Sequence, residues 1–227
     1  MLATGAGCGP RDPLERVRQQ QDVKGDFQGS LEPLRSLLAE RPDDPEVQFR
    51  YGSALIATGD SGFAVWPLRK AIESPKWVER AGLPLAGTLL ATGAFDEAVD
   101  VCSRVLEQKP DLVPALLLRA QARVMSRRHY EDALADADRV LELDPDNFEA
   151  LGPRAVSLLA LERIDEAAKV IDELDRQYRD DSLGLHGSPA LCMARATFAS
   201  EKGERELAEE RFDACVEQFP TEGMVLT

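Results

Sequence analysis

Residues 113–147 read VPALLLRAQARVMSRRHYEDALADADRVLELDPDN, and this stretch decides the fold. From Leu112 to Met125 the apolar residues recur at the spacing of one helix face. Ser126 to His129 interrupt the pattern as a turn. A second amphipathic helix starts at Tyr130, with Ala133, Ala137, Val140 and Leu141 on one face. Pro145 ends it, because proline has no amide hydrogen to donate and its ring collides with the preceding turn. Asp146 or Asn147 is placed to cap the helix that follows. The next stretch repeats the plan: FEALGPRAVSLLAL at 148–161, a turn at Glu162 and Arg163, then IDEAAKVIDELDRQY at 164–178.

The same unit recurs in both directions. Gly25, Gly59 and Gly93 are each 34 residues apart, and Ser30, Ala64 and Ala98 keep the same step. With one inserted residue the small-residue series continues at Ala133 and Ala167, and a final step of 41 reaches Ala208. Prolines run in parallel at Pro42, Pro110, Pro145 and Pro220, with Pro75 one residue early and Arg179 in a proline's place. Three series in one phase define six units, near 11–44, 45–78, 79–112, 113–147, 148–181 and 189–222. Residues 182–188 (SLGLHGS) are a loop insertion between the last two. Residues 1–10 read as a flexible tail, and 223–227 as a tail or the start of a further helix.

The small residues have a packing reason. Gly52, Ala120, Ala155 and Ala196 lie midway along first helices, and Ala64, Ala98, Ala133, Ala167 and Ala208 open second helices, so paired helices can approach closely. Leu68, Ile171 and Phe212 fill the gap toward the neighbouring unit. A lone hairpin cannot bury its apolar face, so the units must stack. Pro33 and Pro67 fall inside second helices, and Pro84 and Pro153 inside first helices. Each is expected to shorten or kink its helix. The first unit, with Leu14, Val17 and Gln21, is the least regular and reads as a cap.

This 34-residue helix–turn–helix period with small–small–proline anchors resembles the tetratricopeptide repeat. The match is best at Gly52/Leu55/Ala64/Leu68/Ala71 and at Ala120/Ala133/Ala137/Val140/Pro145, and the resemblance covers about residues 11–222. It implies an all-α fold, a right-handed α-solenoid of about six units. The aromatic residue usual near the start of the first helix is missing throughout. The resemblance also implies that first helices line a concave groove where a protein or peptide binds. Carried over position by position, the groove holds Phe49, Arg50, Leu83, Leu117, Leu118, Gln121, Val124, Met125, Val156, Leu159 and Met193, with Ser53, Gly87 and Thr197 beside them. Family members that hold an acidic C-terminal peptide use a clamp of Lys, Arg and Asn. The matching places here are Phe49, Ser53, Leu83, Gly87, Leu117 and Gln121, none of which pairs with a carboxylate as Lys or Arg does. An apolar groove suits a helix laid in by its hydrophobic face, or an extended apolar segment. Leu117 and Val124 lean toward burial by packing, and Leu118, Met125 and Leu159 toward exposure.

Composition narrows the function. With 41 acidic and 27 basic side chains the net charge is −14, and no compact Lys/Arg patch offsets it. Nucleic acid is not an expected partner; a basic or apolar protein segment is. His129 and His186 are the only histidines, and Cys8, Cys102, Cys192 and Cys215 form no Cys-x-x-Cys pair, so no zinc constellation is written in the chain. Cys102, Cys192 and Cys215 fall on apolar helix faces and read as small core residues. Cys192 and Cys215 lie on the two helices of one hairpin, where a disulfide is allowed but not indicated. His-Glu-x-x-His, a phosphate-binding Gly-x-x-x-x-Gly-Lys and a Gly-x-Ser-x-Gly elbow are all absent. Neither an enzyme nor a cofactor is expected.

No apolar run is long enough to span a bilayer. Met1 to Gly9 (MLATGAGCG) has small residues before Cys8, yet lacks the basic start and apolar stretch of a secretory signal. The expectation is a cytoplasmic protein. A lipid-anchored envelope location would need a leader upstream of Met1. Met224, Val225 and Leu226 look like the beginning of another first helix, so the C-terminal end is expected to continue, to meet a partner or to self-associate. The leading reading is a protein-binding scaffold. An envelope lipoprotein assembly factor and the regulatory arm of a larger enzyme are the alternatives.

Overall fold

The computed structural model describes residues 12–178 and 189–218. Cys8, the loop insertion at 182–188, and Met224 to Leu226 lie outside the described residues. Within them all regular structure is helical, with no strand. The chain forms two compact units, one ending at Gln108 and one beginning at Lys109.

In the first unit, α1 (Pro13–Arg18) begins where the Asp12 side chain accepts the Leu14 amide at 3.1 Å, and it runs on into a π-helical turn, Gln19–Val23. Then come α2 (Phe27–Glu40), α3 (Pro45–Ala57), α4 (Ser61–Ala71), a 3-10 turn (Pro75–Trp77), α5 (Val78–Ala91) and α6 (Phe95–Gln108). Asp26 and Asp44 cap α2 and α3 through their carboxylates, as short acidic side chains at a helix start do. Successive helices pack on one another, α3 on α4 and α5 on α6 most extensively. Gly52 and Gly82 sit where the paired helix leaves no room for a side chain. A Cβ on Gly52 would lie 2.6 Å from the Leu68 side chain, and one on Gly82 would lie 2.6 Å from that of Val105.

The second unit holds α7 (Val113–Met125), α8 (Tyr130–Leu143), α9 (Phe148–Ala160), α10 (Ile164–Tyr178), α11 (Pro189–Glu201) and α12 (Arg205–Gln218). Its helices pair as α7 with α8, α9 with α10 and α11 with α12, and α9 also touches α8 and α11. Leu151, Leu158, Ile171, Leu174 and Phe198 form one buried cluster at its centre. Ala133, Ala155, Ala167 and Ala196 have no exposed surface, as close helix pairing requires. The turns at Ser126–His129 and Glu162–Arg163 fall where the sequence places them. Gly25, Gly59, Gly93 and Gly203 turn with φ between +64° and +88°, whereas Arg127, His129 and Glu162 hold φ near +55° to +58° with a side chain in place. That left-handed geometry costs a non-glycine residue about 1–2 kcal/mol.

Three expectations are corrected, the first of them as to helix length alone. The helices with internal prolines are not generally shortened: α2, α5 and α9 run 14, 14 and 13 residues through Pro33, Pro84 and Pro153. Only α4, with Pro67, is short at 11 residues. One missing amide donor costs a single rung, and burial of the flanking turns holds the rest. Cys192 and Cys215 are not separate core thiols but one disulfide joining α11 to α12, their Cα atoms 5.6 Å apart. Cys102 remains a buried thiol on α6. Asn147 does precede α9, but its side chain donates to Asp144 at 3.0 Å rather than capping the helix.

Candidate protein-binding faces

In the first unit the sequence-derived positions are Phe49 and Arg50 on α3 and Leu83 on α5. Phe49 is half-buried, and its ring packs against Trp77 with centroids 5.2 Å apart and planes tilted by 38°. The Arg80 guanidinium lies 5.6 Å from the centre of the Trp77 ring, a distance at which a cation is attracted to the ring face. Leu83, one turn further along α5, is half-buried. Beside Gly87 an added Cβ would meet nothing within 4 Å. The resulting face is aromatic and apolar with one cation held over it.

Arg50 does not belong to that face. It is 7% exposed and is drawn into an ion network with the N-terminal segment. Its guanidinium donates to Asp22 at 3.0 and 2.9 Å, to Gln21 at 3.2 Å and to Glu46 at 2.9 Å. Arg18 grips the same Glu46 with two hydrogen bonds of 2.7 and 2.8 Å. Gln21, itself buried, donates to Ser30 and to the Arg50 carbonyl. The hydrogen bonds from Arg18, joined by those from Arg50, hold the Glu46 carboxyl down at about 2. Asp22 is lowered by its bonds from Arg50. Burial works against the charge on Arg50, but the bonds to Asp22 and Glu46 outweigh it and hold the guanidinium above its ordinary value. With four of its five N–H donors engaged inside the protein, the guanidinium is committed to this network rather than to the face of α3.

In the second unit Leu118, Gln121 and Met125 follow one another at helical spacing on one stripe of α7. Leu118 and Gln121 are half-buried, and Met125 is 46% exposed. Leu117 and Val124, at 7% exposure each, point into the packing and offer nothing to a partner. On α9, Val156 and Leu159 are half-buried and rest against the central apolar cluster. Thr197 on α11 is half-buried; the Met193 side chain lies outside the described residues.

The first helices of this unit do carry arginines, and the second helix neutralises them. Arg119 bonds both oxygens of Asp136 at 2.8 and 2.7 Å, and Arg123 bonds the same carboxylate at 2.5 Å. Arg154 on α9 bonds Asp138 on α8. From Lys109 onward the sequence holds 25 acidic and 15 basic side chains, a net charge of −10. The unit thus presents an apolar stripe on a strongly acidic body.

Sequence reasoning missed Trp77, Asp136 and the Glu46 network. Trp77 sits in a short 3-10 turn that breaks the helical phase. The network leaves a periodic trace: Arg18–Glu46, Asp22–Arg50, Arg69–Glu97 and Asp111–Arg139 are each 28 residues apart. Opposite charges recurring at that step are visible in the sequence. Among the described residues no cluster of three His, Cys, Asp or Glu is placed to hold a metal, and no helix is long and apolar enough to cross a membrane.

The tetratricopeptide-repeat family model matches residues 124–185. The human tetratricopeptide repeat protein 13 is 32% identical over 139 residues, 60% of this chain; the match spans 15% of that longer protein. Among solved structures, MamA from Desulfovibrio magneticus shares the fold with a TM-score of 0.65 at 19% identity, over 77% of this chain and 99% of that one. A tetratricopeptide repeat protein from Parabacteroides merdae gives 0.64 at 16% identity, over 91% of each chain. YrrB, described as a TPR protein with an unusual peptide-binding site, gives 0.58 at 17% identity, over 83% of this chain and 93% of that one. Residues 124–185 thus carry a tetratricopeptide-repeat match, and the described residues share the all-helical fold of solved tetratricopeptide-repeat proteins.

Proposed function

We propose that this chain is a non-catalytic scaffold whose first-helix faces bind an apolar or basic segment of another protein. The observation behind it is the α7 stripe. Leu118, Gln121 and Met125 keep apolar surface exposed while Arg119, Arg123 and Arg154 beside them are bound to Asp136 and Asp138. An apolar strip on a unit of net charge −10, with its nearby arginines already paired, favours an amphipathic, basic ligand and disfavours an acidic one. The peptide-binding description of YrrB agrees with such a use of the fold. An interaction arm within a larger polypeptide is a second reading, favoured by the human relative, in which the matched stretch is a minor part.

The test compares the intact chain with a Leu118→Glu, Leu159→Glu variant shown by circular dichroism to be folded. Fluorescence anisotropy is read with labelled amphipathic peptides of equal length, one basic and one acidic. The proposal expects binding of the basic peptide, at least tenfold weaker in the variant, and weaker binding of the acidic one throughout. Equal affinity of intact chain and variant would count against these faces as the site.

A further inference from the structure

We infer that this protein works in an oxidising compartment, where the Cys192–Cys215 disulfide keeps the α11–α12 hairpin seated on α9. The inference stands apart from the ligand-binding proposal, since it uses none of the α7 stripe.

Two observations carry it. The first is placement. The bond links the two helices of one hairpin across 23 residues of sequence, with Cys215 fully buried. The second is what the hairpin covers. α11 packs on α9, and Phe198 inserts into the cluster of Leu151, Leu158, Ile171 and Leu174, so detachment would bare that apolar surface to water. A covalent tie between α11 and α12 holds the hairpin together where it covers that cluster.

Formation of the bond takes two electrons and two protons from the Cys192 and Cys215 thiols. They pass by thiol–disulfide exchange to an oxidant disulfide, which leaves as a dithiol. Such bonds persist outside the reducing cytosol. The expectation of a cytoplasmic protein is replaced by that of an exported or envelope-facing one. In a reducing environment the hairpin loosens and the α9–α10 surface opens.

The experiment has two arms. In native cells, thiols are trapped by acid quenching and alkylation, and cysteine peptides are mapped by mass spectrometry. A linked Cys192–Cys215 peptide is expected; alkylation of both cysteines would overturn the compartment assignment. On the purified full chain, amide hydrogen exchange is followed with and without dithiothreitol, and in a Cys192→Ala, Cys215→Ala variant that removes any effect of the reductant itself. Exchange in α11 and α12 is expected to quicken on the order of a hundredfold, from the loss of loop closure, with α7 and α8 unchanged. Unchanged exchange in α11 and α12, or an equal rise in α7 and α8, would overturn the seating role.

Discussion

Replacing Gly52 by alanine tests the packing account directly, because two known effects oppose each other there. In the middle of a helix, alanine is favoured over glycine by about 0.5–1 kcal/mol, since glycine loses more backbone freedom on folding. Against this, the new methyl would lie 2.6 Å from Cγ and 2.8 Å from Cδ2 of Leu68, a fully buried side chain. Overpacking of this kind costs about 1–3 kcal/mol. The clash wins, and Gly52→Ala should destabilise the first unit by about 1 kcal/mol. Gly87→Ala is the matched control. It is also helical, but its Cβ would meet nothing within 4 Å, so only the backbone term remains and the protein should gain about 0.5–1 kcal/mol. Urea unfolding followed by circular dichroism at 222 nm reads both, and the midpoints should move in opposite directions with unchanged slopes. If Gly52→Ala stabilises as much as Gly87→Ala, close α3–α4 approach is not what selects glycine there.

Two further predictions concern the buried charges. Glu46, held at about 2 in place of an ordinary 4.5, favours the folded state when ionised. Its contribution is complete above pH 4.5, declines as pH falls and is gone near pH 2. It is worth at most about 3 kcal/mol, less after screening because the side chain is 19% exposed. Urea midpoints should therefore fall more steeply between pH 6 and 3 in the native protein than in Glu46→Gln, and parallel curves would remove Glu46 from the account. Asp136→Ala removes the carboxylate shared by Arg119 and Arg123, whose side chains are 19% and 14% exposed, while Arg123 keeps its contact with Asp132. That should cost about 3 kcal/mol, partly recovered when both arginines are also changed to methionine; a loss below about 0.5 kcal/mol would show that water serves them equally well.

How much of this was legible in the sequence follows from what each feature depends on. Hairpin phase depends on residues with one-body preferences: glycine in the turns, alanine at helix crossings, proline after the second helix. These are written at fixed spacing, so the six units and the turns at Ser126 and Glu162 could be read. The binding positions depend on which side of a first helix is covered, and that is a relation between distant segments. Leu118, Met125 and Leu159 kept accessible surface. Arg50 was lost to the site because α1 and its π-helical turn bring Asp22 and Gln21 onto it. Nothing local to residues 45–57 announces that. The cysteine pair was open for a similar reason: its hairpin was legible, but the approach of the two Cα atoms was not.

The 28-residue ion pairs bear on how such an array can be shortened or rearranged. Repeat proteins tolerate loss of a unit when each neighbour presents an equivalent surface. Here the surfaces are not equivalent. Deleting residues 45–78 would bring Arg80 to the place of Glu46 and Pro84 to the place of Arg50, one 34-residue step along. Arg18 would then face a like charge, and Asp22 would face a side chain with nothing to donate. The units joined by these pairs therefore carry an ordered address, marked for their own neighbours. Genetic loss of one would leave a chain whose remaining units fold as hairpins but no longer recognise their place in the row.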